Sequence, residues 1–272
     1  MKHQDYTHII EEYRSGSSCN LLSKKYNIPK NTLFYHFHLD GVVRSRRQNR
    51  KYITHDDYFS IIDSEDKAYL LGFVFADGCI YGTRLSVVVN EKDKDVIETF
   101  KQFISPDRTL LAERGLSGFL VDNKRLTNDL RKYGLIERKS LIIKFPENLF
   151  DTSLLPHFIR GVFDGDGSVY KLKCRKGTYG FKIVGSNFFI PALVDILKKY
   201  GIVLHTGHIG KVMYCHTTKQ SELLKLFSFL YQDSRCYLGR KHRLFLEIKN
   251  DLEDRNHKRI NRENRISQTY LV

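Results

Sequence analysis

"YLLGFVFADGCIY" at residues 69–81 and "FIRGVFDGDGSVY" at 158–170 share one pattern: an apolar run, small residues four apart, then aspartate and glycine. Gly72 precedes Ala76 by four positions, as Gly161 precedes Gly165, and residues at that spacing lie on one face of a helix. Small side chains there let two helices approach more closely than the usual separation of about 8–10 Å between axes. Gly72, Ala76, Gly161 and Gly165 are therefore the expected contact surface between two helices. Such a pair brings its C-terminal ends together, with Asp77 beside Asp166. Gly78 and Gly167, which follow, are expected to take the left-handed conformation that ends a helix.

Two carboxylates at two helix C-termini repel each other and both helix dipoles. A divalent cation resolves these conflicts together. Hard ions such as Mg²⁺ prefer oxygen ligands, and the free carbonyls of a helix end would add to the set. A single "ADG" or "GDG" reads as a turn; two copies in register, each closing an apolar helix, read as a site.

The duplication extends outward from these motifs. Asp77 and Asp166 lie 89 residues apart, and Gly72 and Gly161 keep the same separation. "RLSVVVNEKDKDVIETFKQFI" after the first motif is a strand and then a helix with Val96, Ile97, Phe100 and Phe103 on one face. "GFKIVGSNFFIPALVDILKKYGI" repeats that order after the second. Two repeats are expected at 55–150 and 151–248, followed by a charged tail at 249–272.

The first 43 residues read as three short helices with a tight "YNIPKN" turn before the third, the pattern of a helix-turn-helix. Ile9, Ile10 and Tyr13 form one apolar face, Ser17 or Ser18 caps the second helix, and Leu33, Phe34 and Phe37 line the third. Lys30, Asn31, Thr32, Tyr35 and His36 are placed on its outer side as DNA contacts. Residues 44–54 carry Arg44, Arg46, Arg47, Arg50 and Lys51, a basic linker suited to phosphates or a minor groove.

With 45 basic against 31 acidic residues, the net charge of +14 points to a polyanionic partner. Five scattered cysteines contain no CxxC pair, so neither a disulfide framework nor a cysteine zinc knuckle is indicated. No apolar run reaches the roughly 18 residues of a membrane span, and "MKHQDYTHII" lacks a signal peptide's apolar core. An intracellular, non-secreted protein without a membrane partner is expected. His205, His208, Cys215 and His216 have zinc-binding chemistry, but neighbours on a strand face opposite ways, so ordinary strand residues are expected.

"LLGFVFADG" (70–78) and "IRGVFDGDG" (159–167) resemble the two signature helices of single-chain LAGLIDADG homing endonucleases. The resemblance covers residues 55 to 248. It implies an α+β fold: a pseudo-twofold pair of αββαββα repeats whose saddle-shaped antiparallel sheets lie along the DNA major groove, here behind the helix-turn-helix. It also implies metal-dependent cutting of both strands at a long, non-palindromic site, with two or more Mg²⁺ ions. The eighth letter of each motif supplies the metal-binding acid, Asp77 and Asp166, and the carbonyls of Ala76 and Gly165 join them. "ERKS" (137–140) and "GRKH" (239–242) recur late in the halves, and by resemblance Lys139 and Lys241 are the lysines of the two active sites. Asn90 or Glu91 and Ser186 are weaker parallels to residues that order catalytic water.

Phe75 stands where the motif's first acid belongs, whereas the second half keeps Asp164; little loss is expected from this. Arg160 replaces a small apolar residue and is expected to face outward. One chain with both half-motifs implies a monomer acting on double-stranded DNA. The alternatives are a catalytically silent DNA-binding regulator, against which both acids weigh, and an RNA maturase on the same scaffold.

Overall fold

Three short helices make up the first unit: α1 (Thr7–Arg14), α2 (Cys19–Tyr26) and α3 (Lys30–Leu39). The computed structural model describes residues 3–42, 52–146, 150–173 and 177–269, and the chain divides into Met1–Ile53 and Thr54–Val272. Ser18 caps α2 by accepting from the Leu21 N–H at 3.2 Å. Asn27 ends that helix in the left-handed conformation, with φ of 53°, and so permits the short turn into α3. Ile9, Ile10, Tyr13, Leu22, Leu33 and Phe37 close a small core, with Tyr13 stacked on Phe37.

One side of α3 differs from the sequence expectation. His36 is buried, stacked on Tyr6 at 3.7 Å between ring centroids, while Phe34 is 43% exposed. Leu33, His36 and Phe37 form the i, i+3, i+4 stripe, which leaves Phe34 one step off it. An imidazole lies flat against a tyrosine as readily as a phenyl ring. The basic run containing Arg44, Arg46, Arg47, Arg50 and Lys51 lies outside the described residues.

The second unit contains the two repeats. The first is α4 (Glu65–Ala76), β1 (Gly78–Tyr81), β2 (Arg84–Asn90), α5 (Lys94–Ile104), β3 (Leu111–Glu113), β4 (Leu116–Asp122) and α6 (Lys124–Lys132). The second is α7 (Leu155–Asp166), β5 (Gly167–Lys171), β6 (Tyr179–Gly185), α8 (Phe189–Lys199), β7 (His205–Ile209), β8 (Val212–Thr217) and α9 (Gln220–Tyr231). Each reads αββαββα, and each forms a four-stranded antiparallel sheet, ordered β1-β2-β4-β3 and β5-β6-β8-β7.

Strand alternation sends one face of each sheet inward. Leu85, Val87 and Val89 on β2 are buried between outward-pointing neighbours, and Phe181 and Ile183 do the same on β6. Val96, Ile97, Phe100 and Ile104 on α5, and Ile190, Leu193 and Leu197 on α8, cover the inner faces. Phe103 is only partly covered. A single apolar core runs through both repeats.

After α9 a last helix, α10, runs Gly239–Thr269. The packed chain was expected to stop at residue 248, yet Leu252 is buried and Tyr179 donates a hydrogen bond to Asp251. The apolar spacing of Phe245, Ile248 and Leu252 carries the helix past that boundary.

Candidate active site at the paired helix ends

Residues Ala68 to Ala76 of α4 are all buried, as expected of a helix that is apolar all round. Its main partner is α7, and the glycines set their distance. A Cβ placed on Gly72 would lie 2.9 Å from the carbonyl carbon of Phe158 and closer still to its oxygen. One placed on Gly161 would lie 2.7 Å from the Phe73 nitrogen and nearer yet to the Tyr69 oxygen. Backbone thus packs directly on backbone, as the small-residue spacing predicts.

At the C-terminal end of the pair, Asp77 caps α4 and Asp166 is the last residue of α7. A Cβ on Gly165 would come within 3.4 Å of Asp77 Oδ2, which places the Asp77 carboxylate against the neighbouring helix. Gly78 and Gly167 do not adopt the expected left-handed conformation; Gly167 is extended, with φ of −93° and ψ of 163°. They are needed for space. A Cβ on Gly78 would meet Val74 at 2.7 Å, and one on Gly167 would meet the Phe163 carbonyl oxygen at 2.5 Å, so the chain passes from helix straight into strand.

Lys139 and Lys241 converge on these ends. Lys139 Nζ donates to the Ala76 carbonyl. Lys241 Nζ donates to the carbonyls of Phe163 and Asp164, both at 2.7 Å, and of Gly167 at 2.6 Å, with Gly165 O at 3.4 Å. The four side chains form one electrostatic cluster. Burial raises both carboxyls, that of Asp166 to about 6 with the neighbouring Asp77 charge adding to the effect, while the two lysines oppose it. Burial lowers both lysines, that of Lys241 to about 8, against the pull of nearby acids.

Both carboxylates keep an edge open to solvent, and neither accepts a hydrogen bond from a described residue. Among the described residues no three His, Cys, Asp or Glu side chains converge. An ion here would draw on two acids, the carbonyl oxygens of Ala76 and Gly165, and its own water. That oxygen-only set fits a small hard cation.

Asp164, two residues before Asp166 on α7, is wholly enclosed. It accepts from Tyr69 Oη at 2.9 Å, Tyr231 Oη at 3.2 Å and the Leu238 N–H at 2.7 Å. Burial nonetheless pushes its carboxyl up to about 6. Phe75, its counterpart, packs edge-on against Phe158.

Arg160 is fully buried rather than outward-facing. It donates to Glu65 Oε1 and the Cys236 carbonyl, both at 2.7 Å, and to the Leu230 carbonyl at 2.6 Å. Burial raises Glu65, but the N–H groups of Cys236 and Arg235 and the Arg160 charge outweigh it and hold the carboxyl below its usual range. An arginine is tolerated there because an acid 95 residues away meets it.

The weaker parallels have local duties. Asn90 accepts from the Lys92 N–H at 3.2 Å, Glu91 pairs with Lys94 on the surface, and Ser186 caps α8 by accepting from the Phe189 N–H. Cys215 is buried, while His205 and His216 pair across β7 and β8 on the outer face and His208 falls on the alternate one. Lys182 Nζ sits 4.0 Å from the Tyr214 ring centroid on that same outer face. On α3, Lys30, Asn31 and Tyr35 are exposed and Thr32 half-buried.

Asp93 and Asp95 escaped the sequence reading. Asp93 pairs with Arg240 at 2.8 Å, and Asp95 accepts from the Gly239 N–H at 3.0 Å. "EKDKD" showed them only as acids near a helix start.

Two αββαββα repeats joined through α4 and α7 are the LAGLIDADG homing endonuclease fold, and solved structures bear this out. The LAGLIDADG meganuclease I-AabMI bound to uncleaved DNA superposes with a TM-score of 0.52 at 15% identity, over 70% of this chain and 91% of that one. I-SmaMI bound to an uncleaved DNA target in the presence of calcium ions gives 0.51 at 16%, over 72% and 93%. I-GzeII in complex with its DNA target gives 0.51 at 14%, over 70% and 91%. No protein-family model matches the chain, and no curated protein does.

Proposed function

We propose that this chain is a Mg²⁺-dependent, site-specific endonuclease that hydrolyses one phosphodiester on each strand of a long, non-palindromic duplex. The observation that carries the reading is the pair of adjoining helix ends, each with an open aspartate and a lysine on its carbonyls. That the structural neighbours are homing endonucleases, several bound to DNA and one with calcium, supports it.

Asp77 and Asp166, with the Ala76 and Gly165 carbonyls, would hold two or more ions. When bound, the metal polarises the scissile phosphate, lowers the pKa of a water and steadies the departing oxygen. The lysines supply positive charge beside the same phosphates, where transition-state charge accumulates. A lysine lowered toward neutrality, as Lys241 is, exchanges a proton at Nζ more readily than a surface lysine does. The outer sheet faces, including Lys182, Tyr214, His205 and His216, line the duplex. Unequal repeats in one monomeric chain suit an asymmetric site.

The first unit is a helix-turn-helix that adds a second contact with the same duplex. Lys30, Asn31, Thr32 and Tyr35 meet the major groove, and the basic linker follows phosphates, so linkage raises affinity without a new catalytic group.

The test uses DNA that joins the flanks of the chain's own gene, incubated with Mg²⁺ or with chelator. Double-strand cutting that needs metal and disappears in Asp77→Asn and Asp166→Asn is the expected result. Tight binding without cutting would instead favour a regulator or a maturase, the latter resolved by an RNA-splicing assay.

A further inference from the structure

Lys139 and Lys241 each reach carbonyls at the C-terminal end of a paired helix, by different routes. Lys241 lies in the first turn of α10, and three acids grip that turn. Asp164 accepts from the N–H of Leu238, whose carbonyl in turn receives the Lys241 and His242 N–H groups. Asp95 accepts from the Gly239 N–H, and Asp93 pairs with Arg240. Carboxylates at a helix N-terminus satisfy its free donors and its dipole. Of the three, only Asp164 is enclosed, and it is itself held by the hydroxyls of Tyr69 and Tyr231.

Among the described residues, no carboxylate accepts from the backbone N–H groups of the turn that carries Lys139. Lys139 opens this 3-10 turn, Lys139–Leu141, and Arg138 before it has φ of 54°, a costly conformation for a side chain other than glycine. The position matching Asp164 is Phe75, whose ring packs on Phe158 and accepts no hydrogen bond from a backbone N–H. Lys139 remains partly exposed, whereas Lys241 is 6% exposed.

We propose that Asp164 is a positioning residue for Lys241: by capping the start of α10 it fixes the ammonium over the carbonyl end of α7. The first repeat has Phe75 at that position and holds Lys139 on a strained turn, whose approach is tied by Glu137 to the Gly82 N–H and to Arg131. The two half-sites are therefore unequal by construction, and damage to Asp164 falls on one of them. The consequence for cutting rests on the proposed endonuclease activity; the placement of the lysine does not.

The first experiment needs no activity. Full-length protein is treated briefly with acetic anhydride at neutral pH, and acetylation of each lysine is followed by mass spectrometry. In the native chain Lys241 is expected to react more slowly than Lys139. Asp164→Ala, which removes the acceptor of the Leu238 N–H, should speed Lys241 by about threefold or more through local opening, with Lys139 unchanged. No change at Lys241, or an equal change at both lysines, overturns the proposal. If Asp164→Ala does not fold, Tyr231→Phe removes one donor from the carboxylate and should give the same ordering at smaller size; a flat result there overturns it equally.

The second experiment follows a supercoiled plasmid carrying the target. Asp164→Ala should bind as the native chain does yet accumulate nicked circles, with one strand slowed about tenfold and the other nearly normal, since small misplacement of a reacting group costs at least this much. Equal slowing of both strands refutes unequal half-sites. A native chain that cuts nothing refutes the nuclease reading and leaves the acetylation result standing.

Discussion

Gly161→Ala sets two physical effects of opposite sign against each other. Alanine is the better helix former by about 1 kcal/mol, so propensity alone would stabilise α7. Packing says otherwise. The new Cβ would lie 2.7 Å from the Phe73 nitrogen and closer to the Tyr69 oxygen, both backbone atoms of α4 that no rotamer change can move. Ordinary contact needs about 3.5 Å, so the helices must separate by roughly an ångström, which forfeits a quarter to a half of the dispersion energy along the seam. Overpacking of this kind costs about 3 kcal/mol, leaving a net loss near 2 kcal/mol. For a unit of this size that lowers Tm by about 4–8 °C. The assay is thermal unfolding of the full chain, with cutting measured well below the transition. Cutting should fall as well, because the separation carries Asp77 away from Asp166. A Tm equal to or above that of the native protein would refute the claim that backbone contact sets the helix distance.

Three other measurements bear on the same structure. Arg160→Leu removes the buried cation of Glu65, leaves it only the exposed Arg235 guanidinium 3.3 Å away, and should cost about 3 kcal/mol by denaturant unfolding, whereas Glu65→Leu with Arg160→Leu should cost much less; equal losses would deny the coupling. Glu65 titrates below its unfolded value, so the stability it adds is complete above about pH 5 and disappears as pH falls through the folded value. Glu65→Gln should flatten the acid limb of a Tm-against-pH curve, and an unaltered limb would contradict this. Millimolar Mg²⁺ should raise the native Tm at neutral pH by relieving the Asp77–Asp166 repulsion, and should do so far less for Asp166→Asn; equal shifts would place the ion elsewhere.

Much of this was legible in the sequence because it is local and repeated. The four-residue spacing of Gly72 with Ala76, and of Gly161 with Gly165, fixed both the helix pairing and the meeting of Asp77 with Asp166. The order of strand and then helix after each motif placed β2 before α5 and β6 before α8. What escaped depends on partners far along the chain. Arg160 looks like a surface residue until Glu65 stands beside it, and Asp93 looks like a helix-start acid until Arg240 arrives. Gly78 and Gly167 were read by conformation when their constraint is space, which only the packed Val74 and Phe163 reveal. His36 and Phe34 exchanged places because aromatic residues adjacent on a helix differ by one step of rotation, and composition does not settle which ring turns inward.

The position of Lys241 beyond both repeats has a consequence for the order of synthesis. A nascent chain that has passed the turn Lys139–Leu141 already contains Asp77 and Lys139, but α4, apolar on every side, has nothing to cover it. Folding of that helix must wait until α7 leaves the ribosome. Even then the second lysine is still to come, on the helix that follows the last repeat. Asp164 therefore stays without the N–H of Leu238 until translation has passed both halves, and a polypeptide stopped short at the end of α9 would carry both aspartates but only one of the two ammonium groups.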